Sequence, residues 1–420
     1  MKKRNLVLLI CTMIMMFAPQ ILILFRYHLN INYNITSIPF YFTLPILIVF
    51  YILDIKKKKS IDVFDILFYI LIITSIITTI FSIYPYISIF GNDVRKEGLI
   101  SILSYYALFI NWKNNNNKEL IRKVLKSIII LGILNSVYAL LQSYTSLDFI
   151  LRFQFHPNMA TGLCVNPNFL GSLMVIELCI VSVYYLTTNK SKKSTIIVLI
   201  LFFISLINCE SIGPLFTYVL TLTISILYLY KNKKIKNSII KLVLILIITF
   251  ISVFTLNAKV IKQARCELCN ASSSVSSGVS GRIKVWKNTF RYNVKTYWIT
   301  GTGFENFTFA YPNKIKKHIE KDGVFEKVYI DDSEEFILDK AHNVYLNTLA
   351  DAGIINLIPY LLLCLLVFIR GLKNKSILNY TLLSAFVGYS IQAFASISVI
   401  QVAPVYYIIM GMIVSLKRVE

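Results

Sequence analysis

Four short polar motifs carry the residue types that could do chemistry in this chain of 420 residues. Each motif lies beside an apolar run or opens an amphipathic segment. In chain order they are GNDVRKEG (91–98), TGLCVNPNFLG (161–171), SGR (280–282) and HN (342–343). Their candidate residues are Arg95, Asn166, Asn168, Arg282, His342 and Asn343. We expect the four motifs to converge at one cavity at one end of a helix bundle.

The chemistry of this set centres on arginine and histidine. Arginine is permanently charged and binds phosphate through a planar fork of N–H donors, which Arg282 and Arg95 could supply. A histidine such as His342 can accept a proton from an attacking hydroxyl near neutral pH. Together they suit displacement of a diphosphate leaving group. No Gly-rich nucleotide-binding loop and no GxSxG motif is found in the sequence.

Simpler interpretations stay open for each of these residues. A histidine at a helix entrance is often a cap or an interfacial residue, and Arg95 could only neutralise lipid headgroups. NPN is a common helix start, since Asn caps well and Pro is favoured in a first turn. Glu177 lies near the middle of an apolar run, where a buried charge suggests function. It could equally be protonated and hydrogen-bonded inside the bundle.

The elements that must position these residues are membrane helices. The chain is 56% hydrophobic, 15% charged and has a mean hydropathy of +0.66. Repeated apolar runs of about 18 residues or more predict helices that cross a bilayer core about 30 Å thick. Twelve such runs cover roughly 5–25, 38–55, 62–84, 98–112, 122–145, 162–188, 194–209, 212–230, 239–257, 342–369, 377–395 and 399–416. The fold class is therefore an all-α integral membrane protein with about twelve transmembrane helices.

The net charge of +22 follows the membrane topology rather than a nucleic-acid partner. Lys and Arg cluster in loops that fall on one side when twelve spans alternate, which is the positive-inside pattern. We therefore expect both termini in the cytoplasm and the four motifs outside. The predicted division is an N-terminal bundle (1–257), an external loop subdomain (258–341) and a C-terminal bundle (342–420).

The predicted loop subdomain holds an amphipathic helix and a glycine turn. IKVWKNTFRYNVKTYW (283–298) has apolar residues at helical spacing, and GTGFENF (301–307) follows as a turn. Cys266 and Cys269 form a lone CxxC, for which a local disulfide or two free thiols are both open. With no further ligands nearby, we expect no metal site and no cofactor.

The motifs together resemble the bacterial O-antigen ligase and O-antigen polymerase family of polytopic membrane glycosyltransferases. The strongest likeness lies in DKAHNVYLNTLADAGIINLIPYLLLCLLVF, with its histidine, asparagine and long apolar helix. Together with this segment, SGRIKVWKNTF with ITGTGFENF is fairly specific to the family. Further likenesses are TGLCVNPNFLGSLM, which alone is weak, GNDVRKEGLISILSYY and GYSIQAFASISVIQVAPVYYIIMGMI. The resemblance runs from about residue 91 to residue 413 and implies a bundle like those of other polyprenyl-dependent membrane glycosyltransferases, the GT-C class.

The resemblance implies transfer of a glycan from undecaprenyl diphosphate to a sugar hydroxyl outside the cytoplasmic membrane. The reaction would invert the anomeric centre without a metal or a nucleotide sugar. His342 would activate the acceptor hydroxyl and Arg282 would bind diphosphate, with Arg95 as a weaker counterpart. Many members carry Ser-Arg-Gly where this chain has Ile212 within CESIGPLF. If that arginine contacts diphosphate in relatives, this chain would do without it, or would use Arg265 or Arg291.

Polymerase and ligase members share these motifs, so both activities stay open. Abundant Ile, Asn and Lys suggest an AT-rich Gram-positive genome, which favours polymerisation of a capsule, exopolysaccharide or wall glycan over ligation to a lipid or wall acceptor. A polysaccharide flippase is the alternative of another class, although it would be expected to show paired repeats. Expected partners are the lipid-linked oligosaccharide, an acceptor glycan, the bilayer and other membrane proteins of polysaccharide assembly.

Overall fold

The structure, a computed structural model, is a helical bundle with one short hairpin. It describes residues 3–29, 31, 33–56, 60–145, 159–188, 193–234, 241, 243–252, 254–255, 279–310, 329–331, 334–335 and 339–416. The helices are α1 (Lys3–His28), α2 (Ile38–Ile55), α3 (Val63–Ile80), α4 (Pro85–Phe90), α5 (Leu99–Lys113), α6 (Lys118–Tyr144), α7 (Pro167–Thr187), α8 (Lys193–Asn208), α9 (Ile212–Lys231), α10 (Val243–Ser252), α11 (Val279–Thr289), α12 (Lys295–Tyr297), α13 (Val344–Lys373), α14 (Ile377–Gln392) and α15 (Ala403–Ser415). Strands β1 (Tyr329–Asp331) and β2 (Glu334–Glu335) pair antiparallel.

The predicted fold class, an all-α membrane protein, is confirmed. Within the described ranges, seven helices are long and apolar enough to cross a membrane: α1, α2, α3, α6, α7, α9 and α13. The remaining predicted runs contain the shorter helices α5, α8, α10, α14 and α15. Every predicted apolar run thus holds a helix, whereas the number of spans that cross the bilayer stays a prediction.

The centre of the bundle is α7, in which 94% of the apolar stretch is buried. It packs against α14, α9 and α8, while α15 packs against α5. The contact between α15 and α5 depends on glycine at position 411, because a Cβ on Gly411 would lie 2.4 Å from the carbonyl oxygen of Phe109. Small residues allow membrane helices to approach closely, where dispersion rather than the hydrophobic effect holds them together.

Helix α13 is broken at Gly353, which adopts a left-handed backbone conformation with φ of 67°. The segment after α12 lies against this break and satisfies the backbone groups there. The amide of Thr302 donates to the carbonyl of Ala350 at 2.9 Å, and the amide of Ile354 donates to the carbonyl of Trp298 at 2.8 Å. The sequence predicted one continuous run over 342–369, so the break corrects that prediction.

The break divides α13 into two parts with different surroundings. From Ile354 to Lys373 the helix rises about 30 Å at 1.5 Å per residue, which matches the bilayer core. The preceding turns pack in a small apolar cluster with α11, in which Leu346 and Ala350 meet Val285. The first turns of α13 therefore hold the loop helix, and the second part is the span.

Replacing Gly353 by alanine is expected to destabilise the protein by about 2–6 kcal/mol, as left-handed strain and overpacking add. An added Cβ would lie 1.9 Å from the carbonyl oxygen of Ile299. The measurement is the midpoint of thermal unfolding in detergent. Gly213→Ala is the control, because nothing lies within 4 Å of its Cβ and alanine favours a helix. Equal midpoints for both variants would contradict this account of the break.

Candidate active site

Two ion pairs join the loop before α5 to the segment before α13. Arg95 Nε lies 2.6 Å from Asp339 Oδ2, and Lys340 Nζ lies 2.5 Å from Glu97 Oε2. The Arg95 guanidinium also lies over the ring of Phe169, 5.1 Å from its centroid. Because Phe169 follows the NPN motif at the start of α7, three of the four predicted motifs meet here.

Helix α11 brings the fourth motif to the same place. Trp286 Nε1 donates a hydrogen bond of 3.0 Å to the carbonyl of Ala341, and Val285 packs against Ala341 and Leu346. Arg282 lies four residues before Trp286 and therefore on the same face of α11. This docking places the Arg282 side chain beside the segment that carries His342.

The backbone of His342 is held in an uncommon conformation. Its φ of 52° lies in the left-handed region, where residues other than glycine are uncommon. The flanking residues hold it there: Asn343 caps α13 by accepting from the amide of Leu346 at 3.0 Å, and the amide of Ala341 donates to Asn347 Oδ1 at 3.0 Å. Such strain is common at functional positions, because the surroundings must be strong enough to impose it.

The electrostatics around His342 favour its neutral form. Burial lowers the pKa of His342, the carboxylate of Asp339 opposes this, and the positive charges of Arg282 and Arg95 lower the pKa further. Both arginines are therefore close enough to act on the imidazole. A neutral imidazole can accept a proton, so this environment suits a general base.

Burial also lowers the pKa of Arg282, which means that its guanidinium is partly removed from water. Among the described residues, no carboxylate forms an ion pair with Arg282. Arg95, in contrast, is paired with Asp339, whose pKa is lowered by that guanidinium against the effect of burial. An anion that approaches His342 would thus find one uncompensated cation, Arg282, and one compensated cation, Arg95.

A cavity of about 60 Å³ with both apolar and polar lining residues lies beside the ion pairs, which is room for a few water molecules. Its polar lining includes Glu97, Glu305, Lys340, Asn347 and Asp351. The two glutamates and the lysine were not among the predicted site residues. The sequence could have indicated them, since each of these charged residues lies in or close to one of the motifs.

The segment that carries Arg282, Glu305, Lys340 and His342 lies inside a stretch with known relatives. Residues 197–361 match a family profile described as O-antigen ligase. This match supports the resemblance to the O-antigen ligase/polymerase family over that part of the chain. No individual curated protein matches it. The matched stretch includes the break at Gly353 and excludes Arg95, which reaches the family segment through its ion pair with Asp339.

Several predicted site residues have structural contacts instead. Asn166 caps α7 by accepting from the amide of Asn168 at 2.9 Å, and Asn168 Oδ1 accepts from the Ser211 hydroxyl at 2.8 Å. Arg291 is exposed and lies over the ring of Tyr292. These contacts leave phosphate binding by Asn166, Asn168 and Arg291 as untested predictions.

The remaining positions considered from the sequence are Ile212, Arg265 and Glu177. Ile212, at the expected place of the family arginine, opens α9 and is half exposed. Arg265, like Cys266 and Cys269, lies outside the described residues. Glu177 is fully buried in α7, and a Cβ on Gly132 would lie 2.6 Å from its carboxyl carbon. Glu177 therefore packs inside the bundle and does not line the cavity.

Among the described residues, no group of three or more His, Cys, Asp or Glu side chains could hold a metal ion. Asn343, Asn347 and Asp351 follow one another at four-residue spacing, and they have two different roles. Asn343 is a helix cap, whereas Asn347 and Asp351 line the cavity and are joined by a hydrogen bond of 2.8 Å.

Proposed function

We propose that this protein transfers a glycan from undecaprenyl diphosphate to a sugar hydroxyl at the outer face of the cytoplasmic membrane. The observation that carries the proposal is a partly buried histidine beside Arg282 and Arg95, whose pKa is lowered by desolvation and by these two charges. Resemblance to the O-antigen ligase/polymerase family supports glycan transfer in the membrane. The same residues supply a base and a site for an anionic leaving group.

The reaction is a single displacement at the anomeric carbon. His342 takes the proton of the acceptor hydroxyl while the hydroxyl oxygen forms the new glycosidic bond. The bond between the anomeric carbon and the diphosphate oxygen breaks, and its electron pair leaves with the diphosphate. Arg282 and Arg95 stabilise the developing negative charge. One displacement inverts the anomeric configuration, and the scheme uses no metal ion.

Polymerisation of a surface polysaccharide is the activity that we propose, rather than a single ligation. The test is incubation of the purified protein with polyprenyl-diphosphate-linked oligosaccharide. A ladder of growing lipid-linked chains is the expected result, with an inverted anomeric centre by NMR. Transfer of one unit to another acceptor would indicate a ligase. Movement of the lipid-linked oligosaccharide from one leaflet of a vesicle membrane to the other, without bond formation, would indicate a transporter and overturn the proposal.

The pH dependence of transfer is expected to show an acid limb set by His342. The base must be neutral, and its pKa is lowered from an ordinary value of about 6.5. Activity should therefore be constant above that value and fall only as the pH drops through the lowered pKa. Removing the Arg282 charge should raise the pKa of His342 and move the acid limb to higher pH. An acid limb that stays in place in Arg282→Gln would contradict this assignment.

The orientation of the protein in the membrane follows from the positive-inside pattern. In a variant without its native cysteines, Lys287→Cys should react with an impermeant thiol reagent in intact cells, because this exposed residue of α11 lies outside. Asn116→Cys, exposed in the loop before α6, should react only after permeabilisation. The reverse labelling pattern would move the candidate site to the cytoplasm.

A further inference from the structure

Lys340 connects three distant parts of the chain beside the candidate site. Its ammonium lies 2.5 Å from Glu97 Oε2 and 3.0 Å from Glu305 Oε1, and it donates to the carbonyl of Ser398 at 3.2 Å. Lys340, Glu97 and Glu305 are each only 3% exposed. A buried lysine with these partners fixes the position of its own segment, which includes His342 two residues later.

Glu97 has the contacts expected of an ionised carboxylate. Besides Lys340, it accepts hydrogen bonds from the hydroxyls of Ser398 at 2.6 Å and Tyr105 at 3.1 Å, both to Oε1. Each oxygen of Glu97 therefore has a donor. Charge-assisted hydrogen bonds of this kind are stronger and better defined in direction than neutral ones.

Glu305 and Asp351 have different surroundings from Glu97. Glu305 Oε1 is near Lys340, but neither oxygen of Glu305 has a well-directed hydrogen bond among the described residues, and the same is true of Asp351 Oδ1. Both side chains line the cavity. Three carboxyls thus surround one ammonium, and uncompensated buried charge is expensive. Burial raises the pKa of Glu305, and the Lys340 ammonium opposes this.

We propose that Lys340 and Glu97 are positioning residues, because they form an ionised buried pair that holds His342 in its left-handed conformation. Glu305, in contrast, is a neutral, protonated acid. Glu97 orients the lysine through charge, and Glu305 fills the cavity and exchanges hydrogen bonds with its water. The catalytic consequence rests on the proposed function. The assignment of charge to the two glutamates does not depend on it.

The matched pair Glu97→Gln and Glu305→Gln tests this assignment, because the two glutamates bind the same lysine. Glu305→Gln replaces a neutral acid by a neutral amide and should keep folding and turnover within about twofold. Glu97→Gln removes the charge that orients Lys340. It should lower kcat by about 10²-fold, since a shift of about 1 Å at a catalytic group has that effect, with KM little changed.

Two spectroscopic readouts are independent of transfer activity. Infrared spectra in heavy and light water should contain a protonated-carboxyl band of Glu305, beside those of other buried carboxyls, that is lost in Glu305→Gln and retained in Glu97→Gln. The ¹⁵N spectrum of the four histidines, with His342 assigned from His342→Gln, should change at His342 in Glu97→Gln alone. If Glu97→Gln does not fold, Ser398→Ala, which removes one hydrogen bond to Glu97, should shift the His342 signal in a smaller degree.

The outcomes separate the two proposals. A wild-type protein that gives the predicted spectra but transfers no glycan would overturn the proposed function and leave the charge assignment standing. Equal effects of the two glutamine variants on the His342 signal, or loss of the protonated-carboxyl band in Glu97→Gln, would overturn the charge assignment. An unchanged His342 signal in both Glu97→Gln and Ser398→Ala would overturn the positioning role.

Discussion

Replacing His342 by alanine is expected to reduce glycan transfer by about 10²–10⁴-fold, the usual contribution of a general base. Burial and the charges of two arginines lower the pKa of the imidazole and so favour the neutral form, which is the form that takes the acceptor proton. The backbone there is held by Asn343 and by hydrogen bonds at Ala341, which the substitution does not remove. Initial rates of transfer by purified variants measure the effect.

Asn343→Ala is the matched control for His342→Ala. It removes the cap of α13 at the neighbouring position, which is worth about 1 kcal/mol of stability, and should lower the rate far less. Elution from a detergent sizing column checks that both variants fold. A folded His342→Ala protein with the wild-type rate would reduce the histidine to a structural residue at the helix entrance.

Replacing Arg282 by lysine is expected to lower transfer by roughly ten- to a hundredfold. Lysine keeps the charge but not the planar fork that binds two phosphate oxygens. Each lost charge-assisted contact is worth about 1.5–3 kcal/mol, and the rate falls accordingly if the contact acts in the transition state. The measurement is the initial rate at saturating lipid-linked donor.

Arg291→Lys is the control for this substitution. Arg291 follows the same helix but is exposed and lies over the ring of Tyr292, so its replacement should change the rate less than threefold. A similar loss in both variants would indicate a general effect of arginine on this surface. An Arg282→Lys protein with normal activity would exclude a fork-shaped phosphate contact at that position.

The apolar helices could be predicted from the sequence because a bilayer imposes length and composition on each span locally. No information from distant residues is needed to recognise α7 or α13 as apolar. The break in α13 could not be predicted in the same way. Gly353 has its left-handed conformation because the backbone of the segment after α12 lies against it, and that contact joins distant parts of the chain.

The candidate site could likewise be predicted from the sequence only in part. His342, Arg282 and Arg95 could be chosen by residue type and motif, and their charges do act on one another in the structure. The ion pairs of Lys340 could not, because Glu97 and Glu305 lie far from it in sequence. A charged residue inside an apolar bundle almost always pairs with another charged group or with backbone carbonyls. That rule indicates that such pairs exist without indicating which residues form them.

The most direct test of the account is glycan transfer by the purified wild-type protein and the His342→Ala variant from one polyprenyl-diphosphate-linked oligosaccharide, with no other protein present. The account predicts that the wild-type protein forms new glycosidic bonds and releases polyprenyl diphosphate in equal amounts. It also predicts that His342→Ala, folded to the same extent, forms both products at least about 10²-fold more slowly. Bond formation at equal rates in the two proteins, or none in either, would contradict it.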